Sequence, residues 1–372
     1  MSGTDGAPPP APPSSSPDGP PAEPHRRRPR YRGTHPRRFD ERYKELDPAR
    51  FPELAAHVRA QGRTPAGSHV PILVAEVLEA LHPAPGETVA DLTLGRGGHA
   101  RALLGRIGPA GRLLAFDLDR DELARTRADL EAEGHGPRLT VHAGHFASLP
   151  DGIRAAGLEA VDVVFADLGL SSMQIDDPAR GFSYKHDGPL DMRMDRARGR
   201  TAAEVLAKIP EVDLARALEE LADEPHAARI AAAVVARRAT APLLRTGDLV
   251  EAALAGVGLT PDAWRARAER EVRVVHPAAR TFQAVRILVN DELSGLDRLL
   301  ALVPWCLRPG GRIGILSFHS GEDRRVKHAF RAGLDAGLYD AVADDVVRAS
   351  PREVAANPRA ASAKLRWARR AR

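Results

Sequence analysis

The chain has 372 residues, a formal net charge of +4 and one cysteine, Cys306. A single cysteine excludes an intrachain disulfide and a cysteine-based zinc or iron–sulfur site. No apolar run is long enough to span a membrane, and the first residues lack the basic start and apolar core of a secretory signal, so we expect a cytoplasmic location.

The first 66 residues are rich in Pro, Ala, Ser and Gly and include an arginine-rich arm at 25–38. Because they hold few large apolar side chains to offset the entropy of ordering, we expect residues 1–66 to be disordered. Residues 1–67 contain 12 Lys and Arg against 8 Asp and Glu, which leaves 42 of each in the rest of the chain. The arm fits a nonspecific phosphate-binding segment, a nuclear localisation signal or a solvated linker.

From residue 68 onwards, the pattern predicts alternating helices and strands. A helix over 71–81 precedes four strands with helical stretches between them. The strands are predicted at Thr88–Leu92, Leu113–Asp117, Arg138–His142 and Val161–Asp167. This alternation is typical of an α/β doubly wound fold with a parallel sheet.

The alternation stops between 178 and 278, where alanine-rich helical runs replace apolar strands. Helices are predicted at 202–207, 213–222, 227–238 and 249–255, and a helical insertion after the fourth strand is the simplest account. A long helix over 279–302 and a strand over 311–317 follow, with Pro309–Gly311 as the turn between them.

A glycine-rich turn, Gly95–Gly98, follows the first predicted strand and opens a helix. Glycine lets the backbone approach a ligand closely, and a helix N-terminus favours polar and anionic groups. Asp117 ends the second strand, where a carboxylate can accept both hydroxyls of a ribose. Together these residues predict a nucleoside-cofactor site, although the glycines alone also fit a dinucleotide enzyme or a structural turn. Asp167 adds a carboxylate at the end of the fourth strand, where S-adenosylmethionine enzymes that modify amino groups have an acid or amide facing the nitrogen.

Several longer motifs extend from about Ser68 to the C-terminus. They lie at 69–74, 95–99, 167–174, 180–184, 187–195, 276–290, 317–324 and 357–366. With these motifs the chain resembles the ribosomal RNA small subunit methyltransferase H family (MraW-like), which methylates N4 of a cytosine in the 16S rRNA decoding centre. Two positions depart from the family pattern, Leu92 in place of glycine and Gly321 in place of leucine, and neither removes a polar group that the chemistry needs.

The resemblance implies a Rossmann-like class I methyltransferase fold with a parallel-rich doubly wound sheet and an inserted all-helical domain. It divides the chain into the tail at 1–66, a discontinuous S-adenosylmethionine-dependent methyltransferase domain at 67–177 and 279–372, and a helical insertion at 178–278 that recognises RNA. The implied partner is 16S rRNA within the small ribosomal subunit, with no membrane. The oligomeric state stays open, a homodimer included.

The resemblance also implies which residues bind S-adenosylmethionine. These are Gly97, Gly98, His99, Asp117, Phe146, Asp167 and Gln174. Asp117 would take the ribose, and Phe146 would pack against adenine. Asp167 would be the catalytic residue and would accept hydrogen bonds from the N4 amine, together with a neighbouring carbonyl such as that of Leu168. Whether Asp167 serves the cofactor, the amine or both stays open.

Other polar and aromatic residues have two interpretations each. Leu170 stands where many amino-methyltransferases have a stacking aromatic residue, so Phe182, Tyr184 and Phe318 are candidates for that role, with core packing the commoner interpretation. One helix face carries Gln283, Arg286 and Asn290, which suits an RNA cleft or a solvated surface equally. The loop from 187 to 195 suits an active-site lid.

The segment Ser317–Ser320 fits a polar cluster at the substrate pocket or a simple helix cap. His319 and Asp323 lack a third ligand at helical spacing, so no metal is assigned. Two other functions remain open at this point. A dinucleotide oxidoreductase would explain the glycines and Asp117, and a noncatalytic RNA-binding assembly factor would explain the basic arm.

Overall fold

The computed structural model describes residues 71–271 and 275–372. The predicted disordered tail at 1–66, with its arginine-rich arm, lies outside these ranges. Within them, the structure contains no helix that is both long and apolar enough to cross a membrane.

In the described part of the chain, seven strands form one mixed sheet in the order β3-β2-β1-β4-β5-β7-β6. They are β1 (Thr88–Asp91), β2 (Arg112–Asp117), β3 (Leu139–Ala143), β4 (Val161–Asp167), β5 (Leu307–Ser317), β6 (Tyr339–Val342) and β7 (Lys364–Arg370). β1 to β5 are parallel, whereas β7 pairs antiparallel with both β5 and β6. The predicted parallel-rich, doubly wound sheet is therefore confirmed.

Successive side chains of a strand point to opposite faces, and in the central strands β1, β2 and β4 both faces are buried. In β2, Leu114 and Phe116 enter one hydrophobic core, while Leu113 and Ala115 enter the other. Helices α1 (Val74–Leu81), α2 (Gly98–Ile107) and α3 (Arg120–Ala132) cover the second face. Helices α4 (Leu149–Ala155), α12 (Glu292–Cys306) and α13 (Ser320–Asp335) cover the first.

The chain between β4 and β5 is helical. After the short helix α5 (Ser172–Asp176) come α6 (Ala202–Lys208), α7 (Glu211–Ala222), α8 (Ala227–Thr240), α9 (Thr246–Gly256), α10 (Pro261–Arg270) and α11 (Ala278–Asn290). A third hydrophobic core lies among them, and Phe282 and Val285 of α11 belong to it. Each helical run read from the sequence in this region falls within one of these helices or overlaps it. How the chain divides into domains stays a prediction.

Two local predictions were wrong. The single helix expected over 279–302 is broken at Asp291, whose φ of 53° is left-handed, so α11 ends at Asn290 and α12 begins at Glu292. The turn expected at Pro309–Gly311 is an irregularity inside β5, which pairs with β4 at Leu307 and again from Arg312 onwards. The strands β6 and β7, α10 and the short helix α14 (Pro351–Ala356) were not predicted.

Candidate active site

The carboxyl ends of the five parallel strands meet at one edge, where the strand order reverses between β1 and β4 and opens a crevice. A cavity of about 460 Å³ lies there, within the size range of small-molecule sites. Six of the seven predicted cofactor residues line it. They are Gly98, His99, Asp117, Phe146, Asp167 and Gln174.

Gly97 does not line this cavity, and its predicted cofactor contact stays a prediction. It precedes α2 with a φ of 74°. A Cβ there would lie 2.8 Å from the Arg101 guanidinium and 2.9 Å from the Thr126 methyl group. The structure therefore needs glycine at this position because of both the backbone conformation and the space.

The glycine turn packs closely against the segment before α1. A Cβ at Gly98 would lie 2.9 Å from the Pro71 ring, so the backbone forms this part of the cavity wall. The buried imidazole of His99 bridges two parts of the site: its Nε2 is 2.9 Å from the carbonyl oxygen of Ile72, and its Nδ1 is 3.6 Å from Asp167 Oδ2.

Asp117 is held by backbone amides on both carboxylate oxygens. Gly95 N donates to Oδ2 at 2.7 Å, and Asp119 N donates to Oδ1 at 2.8 Å. Burial raises the pKa of Asp117 to about 6, against the opposite effect of these two amides. The group is therefore mainly ionised at neutral pH and fixed in orientation, which suits an acceptor for hydroxyl groups.

Asp119 is the centre of a buried polar cluster that the sequence did not predict. Its Oδ2 accepts from Arg180 Nη1 at 2.6 Å and from Gln174 Nε2 at 3.0 Å. Burial acts to raise the pKa of Asp119, but Arg180 and Gln174 hold it below its usual value. Arg180 Nη2 also donates to the carbonyls of Arg193 and Met194, so this guanidinium ties the loop at 187–195 to the end of β2.

Asp167 lies at the end of β4, facing the other acids. Its backbone N donates to Thr93 Oγ1 at 2.7 Å, which fixes the end of β4 against the glycine turn. Burial, with Asp91 and Glu322 nearby, raises the pKa of Asp167 to about 8. Burial likewise raises the pKa of Asp91 to about 7, with a further contribution from Asp117. The strand ends thus concentrate carboxyl groups that are hard to ionise together.

Phe146 lies at the β3 end of the cavity, beside His145. The two ring centroids are 3.9 Å apart, and both residues line the cavity. Burial and Arg298 lower the pKa of His145 to about 4, so this imidazole is neutral. Gly295 of α12 packs so closely on it that a Cβ would lie 1.8 Å from the ring. The two rings are tilted by 47° and form an uncharged aromatic corner, in which the Phe146 ring can pack against adenine.

The three candidate stacking residues all line the cavity. Phe182 is only 7% exposed and belongs to the helical core, so core packing accounts for most of its surface. Tyr184 is half-buried and stacks on His276 at a centroid distance of 4.8 Å. Phe318 is partly buried against the core on the α1 side of the sheet.

A buried ion pair and a histidine–glutamate pair also line the cavity. Arg286 donates to both carboxylate oxygens of Glu292 at 2.9 and 3.0 Å, a geometry that the break at Asp291 makes possible. His319 Nε2 lies 3.0 Å from Glu322 Oε1, while Glu322 Oε2 accepts from the backbone N of Phe318. The Ser317–Ser320 segment therefore both lines the cavity and caps α13.

The polar face of α11 has more than one role. Gln283 and Arg286 line the cavity. Asn290 instead holds the loop at 187–195, because its Nδ2 donates to the carbonyl of Met192 and its Oδ1 accepts from the backbone N of Met194, both at 2.7 Å. The loop is thus fixed from the sheet side by Arg180 and from α11 by Asn290. The described residues contain no group of three His, Cys, Asp or Glu arranged to hold a metal ion.

The cavity wall is acidic overall. Among the described residues, five carboxyl groups line it against three guanidinium groups, those of Arg96, Arg286 and Arg359. Of the five, Asp167 is mainly protonated at neutral pH, because its pKa is about 8. Such a wall favours a positively charged ligand, and its carboxylates can accept hydrogen bonds from hydroxyl and amino groups. Sequence reasoning missed Arg180, His145 and the Arg286–Glu292 pair. The sequence signal for Arg180 was its place in the motif at 180–184. Its pairing with Asp119 gave no local signal, since the two residues are 61 positions apart along the chain.

The comparisons with known proteins identify the family of the chain. The sequence profile of the MraW methylase family matches residues 66–371. A "Ribosomal RNA small subunit methyltransferase H 1" of Lachnoclostridium phytofermentans is 43% identical over 92% of this chain and 93% of its own length. A "Ribosomal RNA small subunit methyltransferase H" of Acidothermus cellulolyticus is 45% identical over 83% of this chain and 95% of its own.

One solved structure, a putative rRNA methylase from Clostridium thermocellum, aligns with 81% of this chain and 99% of its own. The identity is 12% and the TM-score is 0.40, too low to support an argument. The sequence relatives, not this structural likeness, therefore assign the chain to a family.

Proposed function

Because the chain belongs to the MraW methylase family, we propose that it methylates the N4 amine of one cytosine in the decoding centre of 16S rRNA, within the small ribosomal subunit. The protein is an S-adenosylmethionine-dependent methyltransferase. The N4 assignment rests on the position of Asp167. This carboxyl group lies at the end of β4, largely buried, and lines the same cavity as the ribose-binding candidate Asp117. A cytoplasmic location follows from the proposed substrate.

The residues present fit S-adenosylmethionine. Asp117 offers a fixed, mainly ionised carboxylate for the ribose hydroxyls, and His145 with Phe146 offers an uncharged surface for adenine. The acids around the glycine turn suit a positive charge between them. When bound, the cofactor supplies a methyl group on a cationic sulfur that leaves as a neutral thioether, so the reaction needs no acid for the leaving group.

The chemical task left to the chain is to orient the nucleophile. The N4 lone pair of cytosine is delocalised into the ring, so the amine is weak and must be held in line with the methyl group. Asp167 can accept a hydrogen bond from one N–H, with the carbonyl of Leu168 as a second acceptor. Only the ionised carboxylate is a pure acceptor, and a cation bound beside it would lower the pKa of Asp167 towards ionisation.

The proposal also assigns roles to whole segments. Residues 67–177 and 279–372 form the methyltransferase domain, and the helical insertion at 178–278 grips the RNA. The loop at 187–195 would close the cavity from the RNA side, which its anchoring by Arg180 and Asn290 supports. A decoding-centre loop offers unstacked bases that can be turned into such a cavity.

The test is transfer of a labelled methyl group from S-adenosylmethionine to small subunits that lack the modification, followed by nucleoside analysis. We expect the label on N4 of a single cytosine, and Asp167→Ala should fold but react at least ~100-fold more slowly, the scale of losing a positioning group. Asp129→Ala, an exposed aspartate on α3, is the matched control.

Label at carbon 5, at a ribose oxygen or on adenine would contradict the assignment, as would full activity of the Asp167→Ala variant. Binding of NADH in preference to S-adenosylmethionine would favour an oxidoreductase instead. Binding of small subunits without any methyl transfer would favour a noncatalytic assembly factor.

A further inference from the structure

Arg359 is a cationic side chain on the cavity that the proposed function does not use. It lies in the short helical turn Pro358–Ser362, just before β7, and it lines the cavity together with Ser362. Its Nη1 is buried and has no hydrogen-bond partner in the described part of the chain. Its Nη2 is 3.6 Å from Asp176 Oδ2, too far for a hydrogen bond.

Arg359 keeps 40% of its side chain exposed and meets Asp176 only at ion-pair distance, which sets it apart from an arginine on the same cavity that is held by two hydrogen bonds. Arg286 donates two hydrogen bonds to Glu292. A buried guanidinium nitrogen without an acceptor costs free energy, and native structures seldom keep one without a reason. An anionic group that enters the cavity would satisfy it, because the guanidinium fork matches the oxygens of a phosphate or carboxylate.

The position of Arg359 along the sheet edge indicates which ligand it would meet. The turn leads into β7, whose first residue, Lys364, pairs with Ser317 at the end of β5. Asp176, which lies beside the guanidinium, is in the helix that follows β4. Asp117 and Phe146 lie at the ends of β2 and β3, and β2 is three strand spacings from β5, roughly 14 Å. The turn that carries Arg359 therefore leads into the β5–β7 side of the sheet, whereas the ribose and adenine candidates lie at the ends of β2 and β3.

We propose that Arg359 binds a backbone phosphate of the RNA next to the target nucleotide, an inference that rests on the proposed function. The acidic groups that line the cavity outnumber its guanidinium groups and disfavour a polyanion such as RNA, and the Arg359 guanidinium on the same lining offsets that effect. Arg359 is thus a positioning residue. It holds the substrate backbone while Asp167 orients the amine.

The experiment measures Arg359→Gln in the full-length protein, with Arg352→Gln as the matched control, since Arg352 is exposed on α14 and does not line the cavity. We expect the KM for small subunits to rise about 10-fold or more, as for a lost charge-assisted hydrogen bond. The slope of log affinity against log salt should fall by roughly 0.7, the value for one single-strand phosphate contact. The Kd for S-adenosylmethionine should stay within about twofold. The control should change neither KM nor Kd.

Arg359→Lys keeps the positive charge but loses the two-pronged guanidinium geometry. The slope of log affinity against log salt should therefore stay as in the wild type, while the KM for small subunits rises a few-fold. This variant also keeps the test valid if Arg359→Gln does not fold. Weaker S-adenosylmethionine binding with an unchanged KM for small subunits would overturn the proposal, because the guanidinium would then bind the cofactor's carboxylate. An unchanged KM and salt slope would overturn it as well. Failure of the proposed function is distinguishable, since the wild-type protein would then place no methyl group on N4.

Discussion

Replacing Asp167 with asparagine should make the protein more stable and less active. In the folded state the pKa of Asp167 is raised to about 8, mainly by burial, from an ordinary value of 3.8. A raised pKa means that the folded state holds the proton over a pH range in which the unfolded chain has lost it. The stability of the wild-type protein therefore falls as the pH rises from about 4 to 8.

The asparagine side chain of the Asp167→Asn variant has no proton to lose, so the stability difference between the variant and the wild type should grow with pH. One pKa unit corresponds to about 1.36 kcal/mol, so a shift of about four units gives an upper limit of roughly 5–6 kcal/mol above pH 8. The Asp167 side chain keeps 24% of its surface exposed, which lowers the expected gain to about 2–4 kcal/mol.

Urea unfolding of the wild type and Asp167→Asn at pH 5, 6, 7 and 8, without cofactor, measures this difference. The exposed control Asp129→Asn should show no comparable trend. A difference that stays constant over this pH range would refute the reasoning, because it would mean that the folded state does not raise the pKa of Asp167. Methyl transfer by Asp167→Asn should meanwhile fall about 100-fold or more, since the amide has no negative charge to strengthen the hydrogen bond that this side chain accepts from the N4 amine.

Two further predictions concern the β2 end of the site. Asp117→Ala should weaken S-adenosylmethionine binding by about 1.5–3 kcal/mol in calorimetry, the range for hydrogen bonds to a charged group. The pKa of Asp117 is about 6 and its ionised form is the acceptor, so the affinity of the wild type for S-adenosylmethionine should rise as the pH increases through 6. An unchanged affinity in a folded Asp117→Ala variant would show that Asp117 is not part of the site. Arg180→Met should lower the free energy of unfolding by about 3–5 kcal/mol, because it leaves the buried Asp119 without its cation. The double variant with Asp119→Asn should recover part of that loss, and purely additive effects would contradict the coupling.

Much of the fold could be predicted from local sequence patterns. The apolar runs of β1, β2 and β4 predicted three parallel strands, and the aspartates that end β2 and β4 placed Asp117 and Asp167 at one edge. This worked because a strand buried on both faces must be apolar throughout, and because parallel strands end at the same side of a sheet. The break at Asp291 could not be predicted, since the apolar spacing continues through it and only a single left-handed residue ends α11.

Contacts between residues far apart in sequence were determined only by the tertiary structure. Arg180 reaches Asp119 across 61 positions, and Asn290 reaches Met192 across 98. The unpartnered nitrogen of Arg359 is visible only once its surroundings are known. The raised pKa of Asp167 likewise depends on burial and on acids from other elements of the sheet edge. Sequence periodicity reports which face of an element is apolar, but the pairing and ionisation of polar groups depend on their distances and solvent access, which packing alone determines.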